Sequence, residues 1–446
     1  MSESPPTVSS TSLDLDPVAR ETRRIDMGAS ALTAATVAVI EMGGALAKKG
    51  YHATDLEVAF LTSGQSLGLM LSFFVAHLAS RGPKMPLVFW PEIARSLSLM
   101  AVCFLQPTFA IGFVICHAAA QMFQAITIPA RVTIYRLNYP SHLRGRIVGK
   151  NRQIQLLLAA IISLLLSAAF EWCEGLPDVV RWLGQPPTTA QVMIGWLVPA
   201  TGLLGMAGAF LFRTVRVKEV REFTSAASSP LHTLRAFVRI YREDRDFRRY
   251  ENFFFLFGFA NIMSIPLTQI HAVDVLHANY FDLALINVAI VQGLMALTMA
   301  SWGKLVDRYP PAVLRGVLNL IFAMDLLILA VAPSMEWVYV GRICRGIALG
   351  GGTLIWMLGS LYYARTPEEA PLYLGIHTVL TGTRWALAPF AGVALKAWGQ
   401  NARPIFFLSF LIVAGTAVAM ILESRRERPR PPGETPPMPA PRTPGA

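Results

Sequence analysis

The chain is a succession of twelve apolar runs, each long enough to cross a bilayer. They cover 27–47, 56–79, 86–106, 109–131, 147–170, 191–212, 252–275, 283–302, 313–333, 336–362, 372–396 and 403–422. Charged residues, Gly and Pro separate them. A helix rises about 1.5 Å per residue and a hydrocarbon core is ~30 Å thick, so about 20 residues make one crossing. Only 15% of the 446 residues are charged and 54% are hydrophobic, where soluble domains carry about 25% charged residues. That excludes an ordinary soluble enzyme and a disordered chain. The expected fold is an all-α membrane protein of twelve transmembrane helices.

Orientation follows from the basic residues. With both termini inside, only Lys48, Lys49, Arg181, Lys396 and Arg403 of the 39 Lys and Arg fall outside. Arg95, Arg342, Arg345 and Arg384 lie deep within runs, and the rest are assigned to the cytoplasmic side, those at the run ends included. Such a bias orients the chain with both termini cytoplasmic, and the expected location is the cell (inner) membrane. The net charge of +11 is therefore read as a side preference and not as nucleic-acid binding, since no basic segment interleaves with aromatic residues. Lipid is the expected partner of the basic segment 213–250, which touches anionic headgroups.

The organisation reads as a disordered cytoplasmic tail (1–26), a six-helix half (27–212), a cytoplasmic linker (213–250), a second six-helix half (251–422) and a Pro-rich disordered tail (423–446). The first residues lack the basic start and apolar core of a signal peptide. The halves match at one constant shift: Arg81 with Arg308, Tyr135 with Tyr362, and Pro140 with Pro367. These coincide at equivalent places in the two halves, as expected of two pseudo-symmetric six-helix bundles. Transporters built from repeats carry their substrate near the midplane, between the repeats.

Gly303-Lys304-Leu305-Val306-Asp307-Arg308 and Pro140-Ser141-His142-Leu143-Arg144-Gly145-Arg146 resemble two loop motifs of the major facilitator superfamily. The first is similar to its G-x-x-x-D-R loop between spans eight and nine, the second to its RGR loop between spans four and five. The first-half copy of the former is degraded: Ala76 and Ser80 replace the expected Gly and Asp, while Arg81 remains. The resemblance covers about 27–422. It implies transport of a small molecule by alternating access, with Gly303, Asp307, Arg308 and Arg81 forming a gating loop.

Ionisable residues inside spans are costly and are functional candidates by default. Seven stand out: Glu41, Glu92, Arg95, Asp325, Arg342, Arg345 and Arg384. Asp325 and Arg342 lie at similar depths and are read as a structural ion pair. Glu92 and Arg95, three residues apart on one helix face, are read as another, with His117 close in height. Arg345 and Arg384 are left without an obvious acid. The resemblance puts spans ten and eleven along the central path, where an unpaired guanidinium is a good receptor for an anionic solute. Asn261, Gln121 and Gln124 add polar lining, as do Gln65, Asn287 and Gln292. Glu41, in a span that lines the path in that family, is the proton-coupling candidate, because a carboxylate in a low-dielectric site favours its protonated form.

No phosphate-binding loop, H-E-x-x-H or G-x-S-x-G is present, so ATP hydrolysis, protease and esterase chemistry are not expected. Nor is an enzymatic activity of another kind. Cys103, Cys116, Cys173 and Cys344 offer neither a disulfide scaffold nor a zinc pair, so no metal and no cofactor is expected. The leading expectation is a monomeric secondary transporter of a small organic solute, an anion favoured, coupled to protons. Two alternatives stand beside it: an efflux pump for lipophilic or cationic compounds, and a non-transporting receptor on the same scaffold.

Overall fold

The computed structural model describes residues 15–105, 109–174, 189–218, 230–306, 308–309, 311–364, 369–399 and 401–424. The N-terminal half comprises α1 (Pro17–Ala45), α2 (Asp55–Arg81), α3 (Lys84–Met100), α4 (Ala110–Asn138), α5 (Ser141–Glu174) and α6 (Thr189–Arg213). A shorter helix, α7 (Pro230–Glu243), precedes the second half. That half comprises α8 (Arg245–Asp274), α9 (Tyr280–Ala284), α10 (Ile290–Val306), α11 (Pro311–Val331), α12 (Met335–Tyr362), α13 (Ala370–Gly399) and α14 (Arg403–Ser424). A π-helical turn, Leu285–Ala289, fuses α9 to α10. Twelve long helical runs result, and nine are long and apolar enough to cross a membrane among the described residues. The remaining three, α2, α12 and α13, bring Gln65, Arg345 and Trp385 to the protein's interior.

Helix ends follow local chemistry. Asp16 caps α1 by accepting from Ala19 N at 2.9 Å, with Pro17 in the first turn, where its missing N–H costs nothing. Residues 17–26, expected in a disordered tail, are therefore helical. Polar partners hold them: Asp26 accepts from the Tyr135 hydroxyl at 2.7 Å and from Asn151 Nδ2 at 2.6 Å. Asn138 Nδ2 reaches Thr22 Oγ1 at 2.8 Å. The expected linker 213–250 likewise contains α7 and the start of α8, because Asp244 caps α8 at Phe247 N. Phe237 and Ile240 of α7 are buried. Residues 1–14, 219–229 and 425–446 lie outside the described residues.

Two groups of six helices form. In the first, α1 packs on α5 and α6, α3 on α4 and α6, and α2 on α4. In the second, α8 packs on α13 and α14, α10 on α12, and α11 on α12 and α14. Small residues permit close approach: a Cβ on Gly64 would sit 2.6 Å from Ala118 Cα, and one on Gly350 2.2 Å from Thr298 Oγ1. The halves meet where α2 runs along α13 and α5 along α9 and α10.

The pseudo-symmetry is sharpest at one turn. His52 and His277 take positive φ, 53° and 52°. In each case the next residue closes the same bond, Ala53 N to Ala47 O and Ala278 N to Ala272 O, both 2.9 Å. In each case the residue after that, Thr54 or Asn279, caps the following helix in a capping box.

Candidate functional site

Between the two bundles lies a cavity of about 360 Å³, at the lower end of the range for small-ligand sites. Both halves line it. Glu41, Gln65, Gln121, Gln124 and Arg152 come from the first half. Asn261, Gln269, Asn287, Gln292, Arg345 and Trp356 come from the second. Five of the residues singled out for substrate or protons, Glu41, Gln121, Gln124, Asn261 and Arg345, thus share one wall-to-wall space. Glu41 is accessible within it and makes no ion pair among the described residues. The charges that act on it are Arg152 and Arg345. Neighbouring Lys48 and Lys49 are occupied elsewhere, with Asp55, Asp274 and Glu174.

Arg345 is not unpaired, as the sequence suggested. Its Nη1 donates to Asn261 Oδ1 at 2.9 Å and lies 3.4 Å from Asp325 Oδ2. Asp325, fully buried, also accepts from Arg342 Nη2 at 2.5 Å. One carboxylate therefore serves two guanidiniums, since α12 presents Arg342 and Arg345 three residues apart to the same point on α11. Arg342 reaches the cavity wall as well.

Arg384 does not line the cavity. It is 2% exposed and points into the second bundle. There Nη1 donates to the Phe254 carbonyl at 2.5 Å and Nη2 to Thr381 Oγ1 at 2.8 Å. Its guanidinium lies 3.9 Å from the Phe254 ring centroid, and that of Arg315 lies 3.6 Å from it. His377 stacks on the same ring and approaches Glu251 Oε1 at 3.0 Å. This cluster is a buried tie between α8, α11 and α13. Glu251 escaped notice because it lies just before an apolar run, although it is fully buried.

In the first half, Glu92 and Arg95 form a buried ion pair at 2.5 Å, and Arg131 approaches Glu92 at 3.4 Å. His117 does not join them. Its Nε2 meets the Val39 carbonyl at 3.0 Å, because Gly43 leaves room for the imidazole beside α1. Of the gating loop, Asp307 lies outside the described residues, as does the Arg81 side chain. Gly303 faces open space, and Arg308 is exposed, with its N–H bonded to Leu305 O at 3.0 Å.

The sequence reading missed Arg152, a charged cavity residue. Its signal was the length of α5, which begins at Ser141 and so carries Arg152 three turns into a helix. Asn287 was expected only as polar lining. The π-helical turn Leu285–Ala289 sets it against Gln269, with mutual amide hydrogen bonds. Such turns concentrate at functional sites.

At the end of the molecule opposite the termini, charged pairs join the two bundles. Lys48 bonds Asp274 at 2.9 Å, and Lys396 bonds Asp55 at 2.6 Å. Tyr280 N donates to Glu171 Oε2 at 2.9 Å. Lys48 also bonds Asp55 at 2.9 Å, so four charges alternate in one chain across α13, α2, the π-helical turn Leu46–Gly50 that follows α1, and α8.

A family model described as Major Facilitator Superfamily matches residues 27–382. Among solved structures, the chain superposes on the nucleoside transporter NupG with a TM-score of 0.66 and 12% identity, covering 92% of this chain and 99% of that one. On the xylose transporter XylE from E. coli, in a partially occluded inward-open conformation, the TM-score is 0.61 at 14% identity, over 94% and 100%. Two curated fungal proteins match short stretches. The MFS-type transporter patC of Penicillium expansum is 32% identical over 113 residues, 25% of this chain and 20% of that protein. The efflux pump patC of Aspergillus clavatus is 31% identical over 103 residues, 23% and 18%. The chain thus matches about a fifth of the length of these curated relatives.

Proposed function

The chain belongs to the major facilitator superfamily, and on that footing we propose that it is a secondary transporter moving a small organic solute, preferably an anion, by alternating access. One observation carries this reading: a polar cavity lies between two six-helix bundles, and both contribute charged and amide side chains to it. Rocking of the bundles about such a site is how repeat-built transporters expose it to either side.

The ion pairs at the end opposite the termini close one access route. With both termini cytoplasmic, this is the outer route, and the described state is inward-facing. Glu41 is the proton carrier in this scheme. It faces the cavity between two arginines, so protonation changes the charge that a solute anion meets. The protein acts as a monomer in the inner membrane.

The relative described as an efflux pump supports export as the alternative direction, over the short stretch it shares, whereas the excess of guanidinium groups on the cavity wall disfavours cations. Uptake into proteoliposomes under an imposed pH gradient tests the main reading. Solute accumulation should follow the gradient in the wild type and not in Glu41→Gln. Uptake indifferent to pH in both removes the proton role, and no uptake or counterflow of any solute removes transport.

A further inference from the structure

Three charged side chains and four glutamines face the cavity with hydrogen-bonding capacity to spare. Arg152 donates through Nη1 to Gln155 Oε1 at 2.5 Å and meets no carboxylate at ion-pair distance among the described residues. Arg345 shares Asp325 with Arg342, and Glu41 has no partner at all among the described residues. With Glu41 ionised, the state in which it can take up a proton, three guanidiniums (Arg152, Arg342 and Arg345) against two carboxylates (Glu41 and Asp325) leave the site with one positive charge in excess. A neutral solute would leave that charge uncompensated in a low-dielectric space, a cation would be repelled, and a multiply charged anion would overshoot.

The glutamines add a second constraint. Gln65, Gln121, Gln124 and Gln292 line the cavity, and their side-chain amides bond no other described residue. Oε1 of Gln124, Oε1 of Gln292 and Nε1 of Trp356 are buried without a partner among the described residues. An amide oxygen is satisfied only by an O–H or N–H donor, which a halide or a plain carboxylate does not supply. Buried polar groups left unpaired cost stability, so the best occupant brings several hydroxyls as well as one negative charge. The cavity volume of about 360 Å³ limits it to a small molecule.

We propose that the cavity selects a polyhydroxylated monoanion, a sugar acid or comparable hydroxy acid, with its carboxylate between Arg152 and Arg345 and its hydroxyls on the glutamines. The two arginines stand on different bundles, α5 and α12, so the carboxylate bridges the moving parts and its binding is felt by the rocking motion. The proposal rests on the cavity being the transport site.

The test is a thermal-shift and binding panel on the purified full-length protein: D-gluconate, D-glucuronate and D-galactonate against D-glucose and hexanoate. At least one sugar acid should bind ten-fold or more tightly than both glucose, which lacks the charge, and hexanoate, which lacks the hydroxyls. Arg152→Gln should collapse the sugar-acid-over-glucose ratio at least ten-fold, and Gln124→Leu the sugar-acid-over-hexanoate ratio. The wild-type panel decides even if a variant does not fold. Equal binding of a sugar acid and its neutral or hydroxyl-free counterpart, or no binding of any sugar acid, overturns the proposal. Counterflow in proteoliposomes separates the two readings. A sugar acid that binds and is not carried supports the solute class and refutes transport, whereas carriage of a neutral or cationic solute alone does the reverse.

Discussion

The charged chain Lys396–Asp55–Lys48–Asp274 makes a quantitative prediction about the conformational balance. Only two of its three contacts cross between bundles: Lys396 to Asp55 at 2.6 Å and Lys48 to Asp274 at 2.9 Å. The Lys48–Asp55 contact lies within one bundle and survives rocking. The side chains are between 13% and 41% exposed, so these pairs belong near the upper end of the range for surface ion pairs, about 0.5–1 kcal/mol each. Asp55→Asn combined with Asp274→Asn removes both crossing pairs, about 1–2 kcal/mol in total, and so shifts the equilibrium between states by a factor of roughly 5–30. A cysteine at Thr62, on the cavity wall and about 10 Å along α2 from Asp55, reports the shift on a background with Cys103, Cys116, Cys173 and Cys344 replaced. Maleimide applied from outside to proteoliposomes should label it several-fold faster in the double variant. In the parent, labelling should rise from 0.1 M to 1 M salt as the screening length falls from about 10 Å to about 3 Å, and the double variant should have lost most of that salt response. Unchanged labelling together with an unchanged salt response refutes the latch.

Four more outcomes are expected. Arg384→Ala should lower thermal stability, by about 3–5 kcal/mol as for breaking a buried charged tie, read as a large fall in Tm. Arg345→Ala should instead weaken solute affinity ten-fold or more, measured by binding on folded protein. Glu41→Gln should flatten the pH dependence of uptake while exchange of preloaded solute continues, checked by comparing net flux with counterflow. Gly64→Ala sets a Cβ 2.6 Å from the Ala118 backbone, so it should cost about 1–3 kcal/mol by overpacking, seen as a lower Tm without a change in solute selectivity.

How much of the site was legible depended on which coordinate mattered. Depth along a span reads directly from residue count, and Asp325 and Arg342, matched for depth, do pair at 2.5 Å. Azimuth does not read the same way, because one residue turns a helix by about 100° and the facing partner is set by packing. Arg384 was expected along the central path, yet it turns into the bundle toward Phe254 and Gly258. Arg345 seemed to lack an acid because a single carboxylate was assigned to a single arginine, whereas Asp325 lies within reach of both. Asp26 and Arg152 were lost at the starts of apolar runs, where polar residues blur the hydropathy signal that marks a span, although both lie well inside helices.

The sequence by itself determined the all-helical membrane fold, the positions of the twelve long helices and the side bias of the basic residues. These follow from local causes, since a backbone in lipid must satisfy its own hydrogen bonds within each helix. It also supplied the short roster of charges that burial makes costly. Only the tertiary structure decided which of those charges meet in the cavity and which are spent as internal ties. It alone showed the ion-pair chain between the bundles, whose members Asp55 and Lys396 lie far apart in sequence and touch only once the bundles pack. The physical reason is that the cavity and the latch are properties of the contact between two bundles, and that contact depends on helix rotation and close approach, which no single apolar run records.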